Sequence, residues 1–302
     1  MTEESKPVEQ KSDIEKYLEL RKKRRLHFLV GALAGALLVC GAVIAAAPDE
    51  CIEDRTSETG DEVGQTEESC NVYGINLHGD LVLYPTPQAG TDAAADAQSV
   101  DEASAEDIVA TILGAEADPQ TKAIVLEIDS YGGYPVAGEE VAVALRSATK
   151  PTVAMIRGAG LSAAYLAAAG AKTIFASKYS DVGGIGVTYS YTDESLKNQR
   201  EGLTYNSLST GKFKDTGDQS KPLTAEERAL IMRDLGIMHR DFIADVARYR
   251  DLAVAAVTAL ADGSSMLGEA ALEKGLIDKI GGLPEVESFL AETIGTKPVI
   301  CW

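Results

Sequence analysis

Histidine is scarce in this chain: three among 302 residues. His27, His78 and His239 lie far apart, and no spacing of histidine with cysteine resembles a zinc site. None of the three sits in a recognisable catalytic turn, which argues against a Ser-His-Asp hydrolase. Basic residues are also few. The 28 Lys and Arg are outnumbered by 47 Asp and Glu, for a formal net charge of −19. A balance of that sign argues against a nucleic-acid surface, which needs clustered cations to meet phosphate. There is no short-period repeat and no long low-complexity segment. Apolar residues are plentiful, 45% against 25% charged, so the bulk reads as globular with an ample core.

The one dense basic run is Arg21-Lys22-Lys23-Arg24-Arg25, and it stands immediately before an apolar stretch, Leu26–Ala47. About 20 apolar residues match the hydrocarbon thickness of a bilayer. The basic flank predicts a cytoplasmic N-terminus and an extracytoplasmic remainder. Gly31, Gly35 and Gly41 suit a membrane helix, where small residues allow close packing. A cleaved signal peptide is the alternative, with Ala45-Ala46-Ala47 as the cleavage site, although the run exceeds a usual h-region of about 7–15 residues. Lipid attachment at Cys40 is a third option. The organisation expected is a basic cytoplasmic tail over 1–25, a transmembrane anchor over 26–47, an acidic linker over 48–70, and a folded domain over 71–302.

Four cysteines are present: Cys40, Cys51, Cys70 and Cys301. Cys51 and Cys70 flank the acidic linker on the side that the topology places outside, and an oxidising compartment would permit a disulfide between them.

Beyond residue 71 strands and helices alternate. Asn71–Leu83 reads as a strand, a turn at His78-Gly79-Asp80 and a second short strand. A helix capped by Ser104 follows, then the branched run AIVLEID as a buried strand. After the turn DSYGG come a helix near Ala137–Ser147, the strand PTVAMI, a small-residue helix from Ser162 to Ala169 and the strand AKTIFAS. Repeated βα units imply a mostly parallel sheet covered by helices. Thr224 with Glu227 forms a capping box that opens a long helix to about Arg250. A helix over Gly268–Lys274, a strand in GLIDKIGG and a final helix in PEVESFLAETI complete the pattern.

Three segments could carry chemistry. Ser162 sits in RGAGLSAAYLAAAGA, where Gly158 and Gly160 allow the backbone to bend. It is either a nucleophile beside amides that stabilise an oxyanion or simply a helix cap. DSYGG offers the amides of Gly132 and Gly133 as half of an oxyanion hole, or is an ordinary strand-to-helix turn. STGKFKDTGD offers Lys212 and Lys214, as a base or as solvated surface charge. Lysine can replace histidine as a base where burial disfavours its ammonium.

Taken together and in this order, the segments resemble the SppA (signal peptide peptidase, protease IV) family of serine peptidases. The resemblance is carried by DSYGG, GAGLSAAYLAAAG, DVGGIGV at Asp181–Val187, SLSTGKFKD and LADGSSMLGEAALEKGLIDKIGG, and covers roughly Val72 to Ala291. It implies the α/β superfold shared by crotonases and the Clp protease subunit. It aligns Ser162 with the nucleophile and Lys214 with the general base, Lys212 being the other register, and gives the oxyanion hole to Gly132 or Gly133 with the amide of Ala163. It implies a homo-oligomer in which Ser and Lys of one site can come from adjacent protomers, a peptide substrate such as residual signal peptides, and neither cofactor nor metal. The chain departs from the family pattern at Tyr131, where proline is usual, at Ala163-Ala164, where glycines are frequent, and at Gly184, where a hydroxyl residue is common. Burial beside Phe213 is the expected reason for Lys214 to act uncharged. Two rival readings are a crotonase-type acyl-CoA enzyme and an inactive member acting as a membrane scaffold or regulator.

Overall fold

Alternation in the strand at Ala123–Gly133 explains the layering. Ile124, Leu126 and Ile128 point to one face and Ala123 and Val125 to the other, and all five are fully buried. Such a strand needs apolar cover on both faces. The computed structural model describes residues 69–85 and 101–302. Its elements are β1 (Val72–Val82), β2 (Glu102–Ser104), α1 (Ala105–Ala117), β3 (Ala123–Gly133), α2 (Pro135–Ser147), β4 (Thr152–Leu161), α3 (Ala163–Ala169), β5 (Thr173–Ala176), β6 (Asp181–Gly183), α4 (Ser195–Arg200), α5 (Ala225–Arg250), α6 (Val254–Thr258), β7 (Ser265–Leu267), α7 (Gly268–Glu273), β8 (Lys279–Ile280), α8 (Leu283–Ile294) and β9 (Ile300–Cys301).

The sheet runs β2-β1-β3-β4-β5-β8 with every neighbour parallel, as the βα alternation requires. β9 adds to β1 in parallel, and β6 pairs in parallel with the end of β4 and antiparallel with β7. One face packs on α1, α2 and α3 through Ile112, Val141, Leu145 and Leu166. The other is covered by α8, whose Val286 and Leu290 meet Val125, Met155 and Phe175. Helix starts follow their caps. The Ser104 hydroxyl accepts from the Asp107 amide, and Thr224 and Glu227 close the expected box on α5.

Two expectations change. The His78-Gly79-Asp80 signal does not break β1. The strand runs on through a register shift between His78 and Asp80, because β3 offers an unbroken partner along it. Cys70 pairs with Cys301, not with Cys51, since β9 lies in register beside the start of β1 and brings the two sulfurs together. Cys51 lies outside the described residues, as do the expected tail at 1–25, the expected anchor at 26–47, most of the expected linker at 48–70, and residues 86–100. Among the described residues no helix is long and apolar enough to cross a membrane.

Close helix packing fixes α3. A methyl at Gly138 of α2 would lie 2.4 Å from the Ala163 carbonyl oxygen, and one at Gly170 would lie 2.3 Å from that of Ala142. The two helices therefore touch backbone to backbone. Tyr165 is fully buried on α3 and donates its hydroxyl to the Leu276 carbonyl at 2.8 Å; burial pushes this phenol's pKa well up.

Candidate active site

Ser162 joins β4 to α3 with φ 53° and ψ −125°. A residue with a Cβ avoids positive φ, and holding one there costs about 1–3 kcal/mol unless the surroundings over-determine it. Here they do. The Ser162 amide donates to the Gly183 carbonyl at 2.9 Å, and the Ser162 carbonyl accepts from the Leu166 amide at 3.0 Å. A sharp strand-to-helix turn of this kind lifts a side chain clear of its own backbone. The Ser162 hydroxyl makes no capping bond, so the reading of this residue as a simple helix cap does not hold.

The glycine turn lies against it. Gly132, at φ +114°, has room for no side chain: a methyl there would stand 2.8 Å from Ser162 Cβ and 3.2 Å from the Ala163 amide nitrogen. Gly133, at φ +153°, faces the Leu81 carbonyl, 2.1 Å from where its Cβ would be. Of the two turn amides, that of Gly132 donates to the Ser130 hydroxyl at 3.1 Å. The Ala163 amide opens α3, where the first N–H groups lack helical acceptors.

The departures from the family pattern have local reasons. Ala163 and Ala164 are buried in the core, where their methyls are accommodated. Gly184 adopts φ +59°, a conformation that favours glycine, and a Cβ would come within 3.3 Å of the Ser162 amide nitrogen. Tyr131 projects into solvent at the rim, 76% exposed.

Two cavities meet at Ser162. The first, about 460 Å³, lies between α2, α3 and α5. Its walls are apolar at Val136, Leu166, Met238 and Phe242 and acidic at Glu139 and Asp241. A third carboxylate, Asp245, is paired with Arg248 at 2.6 Å. The second, about 650 Å³, is lined by Tyr131, Gly133, Gly184, Met232 and His239. Sequence reading missed the contribution of α5. The spacing of Met232, Leu235 and His239 marks a helical stripe, but only the tertiary fold turns it toward Ser162. His239 Nε2 stands 2.9 Å from the Ala261 carbonyl oxygen. Among the described residues no group of three or more His, Cys, Asp or Glu side chains is arranged to hold a metal ion.

Lys214 lies elsewhere, on an exposed turn between α4 and α5 whose backbone closes through its own amide to Gly211 at 3.1 Å. Its ammonium forms no hydrogen bond or ion pair among the described residues, and it lines neither cavity. Within one chain, then, Lys214 is not joined to Ser162, and the expected burial beside Phe213 is absent because Phe213 is itself 40% exposed. Lys212 pairs with Glu226 at 2.6 Å. The turn is anchored at its base. Lys221 reaches both Asp215, at 3.6 Å, and Glu227. That ammonium, with the amide and hydroxyl of Thr224, holds the Glu227 carboxyl down at about 2.

With this geometry in view, comparison with known proteins is specific. The family model for peptidase family S49 matches residues 144–297, and that for Clp protease matches 95–180. A Methanocaldococcus jannaschii protein named as a candidate protease is 33% identical over 55% of this chain and 54% of its own length. An Enterococcus faecium protein named as a candidate signal peptide peptidase SppA is 32% identical over 54% of this chain and 48% of its own. Protease 4 of Salmonella typhi is 29% identical over 62% of this chain and 30% of its own. The chain thus spans about half, or less, of these relatives' lengths. A ClpP1 variant from Listeria monocytogenes, 12% identical, superposes with a TM-score of 0.45 over 70% of this chain and 92% of its own, a likeness too slight to carry an argument. The family model takes in just over half of the sequence, including the Ser162 turn, the Lys214 turn and the C-terminal helix: the chain belongs to peptidase family S49.

Proposed function

We propose that the protein is a membrane-anchored serine endopeptidase that uses Ser162 as nucleophile and Lys214 of an adjacent copy as general base. The observation that carries this reading is the Ser162 turn itself: a serine held at positive φ, pressed against side-chain-free backbone at Gly132 and opening onto two cavities. Strain of this kind is retained where a side chain must be presented rather than packed. In the proposed reaction the lysine amine takes the hydroxyl proton as Oγ attacks a peptide carbonyl. The amides of Ala163 and Gly133 receive the developing oxyanion, and the protonated amine gives its proton to the leaving nitrogen. The same amine then activates the water that hydrolyses the acyl-enzyme.

The role given to a second copy is supported by the exposed position of Lys214. The segment that bears it exposes Leu196, Leu203 and Leu208, the last completely, and the buried Thr216 hydroxyl lacks a hydrogen-bond partner among the described residues. Covering this segment with a neighbour would bury those side chains and desolvate Lys214, which disfavours an ammonium. An extracytoplasmic site is supported by the apolar run at 26–47 and by the Cys70–Cys301 disulfide, which suits an oxidising compartment. Apolar walls beside Ser162 fit the hydrophobic side chains of peptides such as spent signal peptides.

A second reading rests on His239, which shares a cavity with Ser162 and would serve as a base within one chain. Peptide turnover by the purified ectodomain separates these readings. The proposal expects Ser162→Ala and Lys214→Ala each to abolish turnover while His239→Ala retains it. Retention in Lys214→Ala with loss in His239→Ala would reverse the assignment. No turnover by the wild type would leave an inactive scaffold, and acyl-CoA turnover would indicate a crotonase-type enzyme.

A further inference from the structure

The ladder between β3 and β4 does not run cleanly to the active site. It pairs Ile124 with Thr152 and continues to Ile128 with Ile156, then resumes at Ser130 with Gly160. Across that gap one residue of β3, Asp129, faces three of β4: Arg157, Gly158 and Ala159. At the same point β4 changes its other neighbour. Val153 to Ile156 pair with β5, whereas Ala159 to Leu161 pair with β6. A bulge re-aims the strand beyond it, and here the strand beyond it ends in Ser162.

Such an irregularity leaves backbone groups without ladder partners, and two side chains supply them. From the β3 side, Asp129 Oδ1 accepts from the Ala159 amide at 3.0 Å. The carboxylate lies so close over Gly158 that a Cβ there would be 2.7 Å from it. From the β6 side, the Ser180 hydroxyl, 1% exposed, is directed at the carbonyls of Ile156, at 3.2 Å, and Arg157. The same oxygen accepts from the Ser177 amide at 3.0 Å. Ser180 immediately precedes β6, and the last residue of β6, Gly183, holds the Ser162 amide.

We infer that Asp129 and Ser180 are positioning residues for the serine. They clamp the bulge at which β4 passes from β5 to β6, and so set where Ser162 stands relative to Gly132. Neither touches substrate. Their effect travels through Ala159 on one side and through β6 on the other. The inference rests on the proposed role of Ser162, but the clamp itself can be read without activity.

The test uses the full-length protein, labelled by a fluorophosphonate, with amide hydrogen exchange read in parallel. In Asp129→Ala and Ser180→Ala the labelling rate should fall about tenfold or more, as small displacements of reacting groups do, while KM for a peptide substrate changes less than twofold. Asp129→Asn keeps an oxygen for the Ala159 amide and should recover most of the rate. Exchange at the Ala159 and Ser162 amides should quicken in the alanine variants. Thr152→Val is the control for stability alone: its hydroxyl, equally buried, takes the Lys172 amide at 2.9 Å at the far end of β4, and its loss should leave labelling unchanged. Should Ser180→Ala be too unstable to purify, the exposed Asp129 decides. The clamp is overturned if Asp129→Ala labels and exchanges like wild type, or if Asp129→Asn is as slow as Asp129→Ala. A wild type that fails to label at Ser162 would overturn the peptidase reading instead, and the exchange at Ala159 and Ser162 would still decide the clamp.

Discussion

The Ser162 turn and the Lys214 turn belong to one proposed reaction but are built in opposite ways. Ser162 is held by backbone from β6 and α3 and lies against a glycine that can carry no side chain. Lys214 stands on an exposed turn, unpaired among the described residues, and only the base of that turn is tied down, through Asp215, Lys221 and Glu227. A group that must not move is fixed by its own chain. On the proposed reading, the group that must lose its water is left where another surface can reach it. On the proposed mechanism, placing the two on separate elements would make chemistry conditional on contact between copies.

Mixing variants tests that contrast most severely. Ser162→Ala and Lys214→Ala should each lose at least about a thousandfold in turnover, as removal of a nucleophile or its base does. If adjacent copies complete one site, as proposed, mixed assemblies should regain a measurable fraction of wild-type activity. Two dead variants that stay dead when co-assembled would place both groups in one chain. Next in size is Gly132→Ala. Its methyl would displace Ser162, and a loss of about a hundredfold in turnover is expected, of the order seen when an oxyanion donor is misplaced. Ser162 labelling rates would report it.

Cys301→Ser touches neither turn and should leave specific activity at low temperature near wild type while lowering stability by about 2–5 kcal/mol, measured by denaturant unfolding with and without reductant. The smallest effect concerns the base of the lysine turn. The Glu227 carboxyl lies at about 2 in the folded protein, against about 4.3 when unfolded. Its contribution is therefore present above about pH 4.3 and is lost as pH falls through about 2. Glu227→Gln should flatten the acid limb of a stability–pH curve, with little change near neutrality in the shape of that curve.

Local patterns in the sequence were enough for the parallel sheet, the capped start of α5 and the glycine turns, because each depends on neighbours within a few residues. Where partners lie far along the chain, the sequence was mute or misleading. The His78-Gly79-Asp80 signal looks like a turn, yet β3 carries β1 straight through it. Cys51 is the nearer partner in sequence, but Cys301 is the one that the sheet brings beside Cys70. Met232, Phe242 and His239 form an ordinary helical stripe until the fold faces them to Ser162. For Lys214 the sequence left two states open, a base or a solvated surface charge, because whether one chain is enough to dehydrate the lysine depends on surfaces that the motif does not contain.

The bond between Cys70 and Cys301 makes a covalent ring of nearly the whole described domain, with every strand and both turns inside it. A nick in the exposed segment around Leu208 would open that ring without releasing either piece. Fragments would migrate together until a reductant parts them. With the disulfide intact, the domain would thus survive a cut in this exposed loop as one molecule.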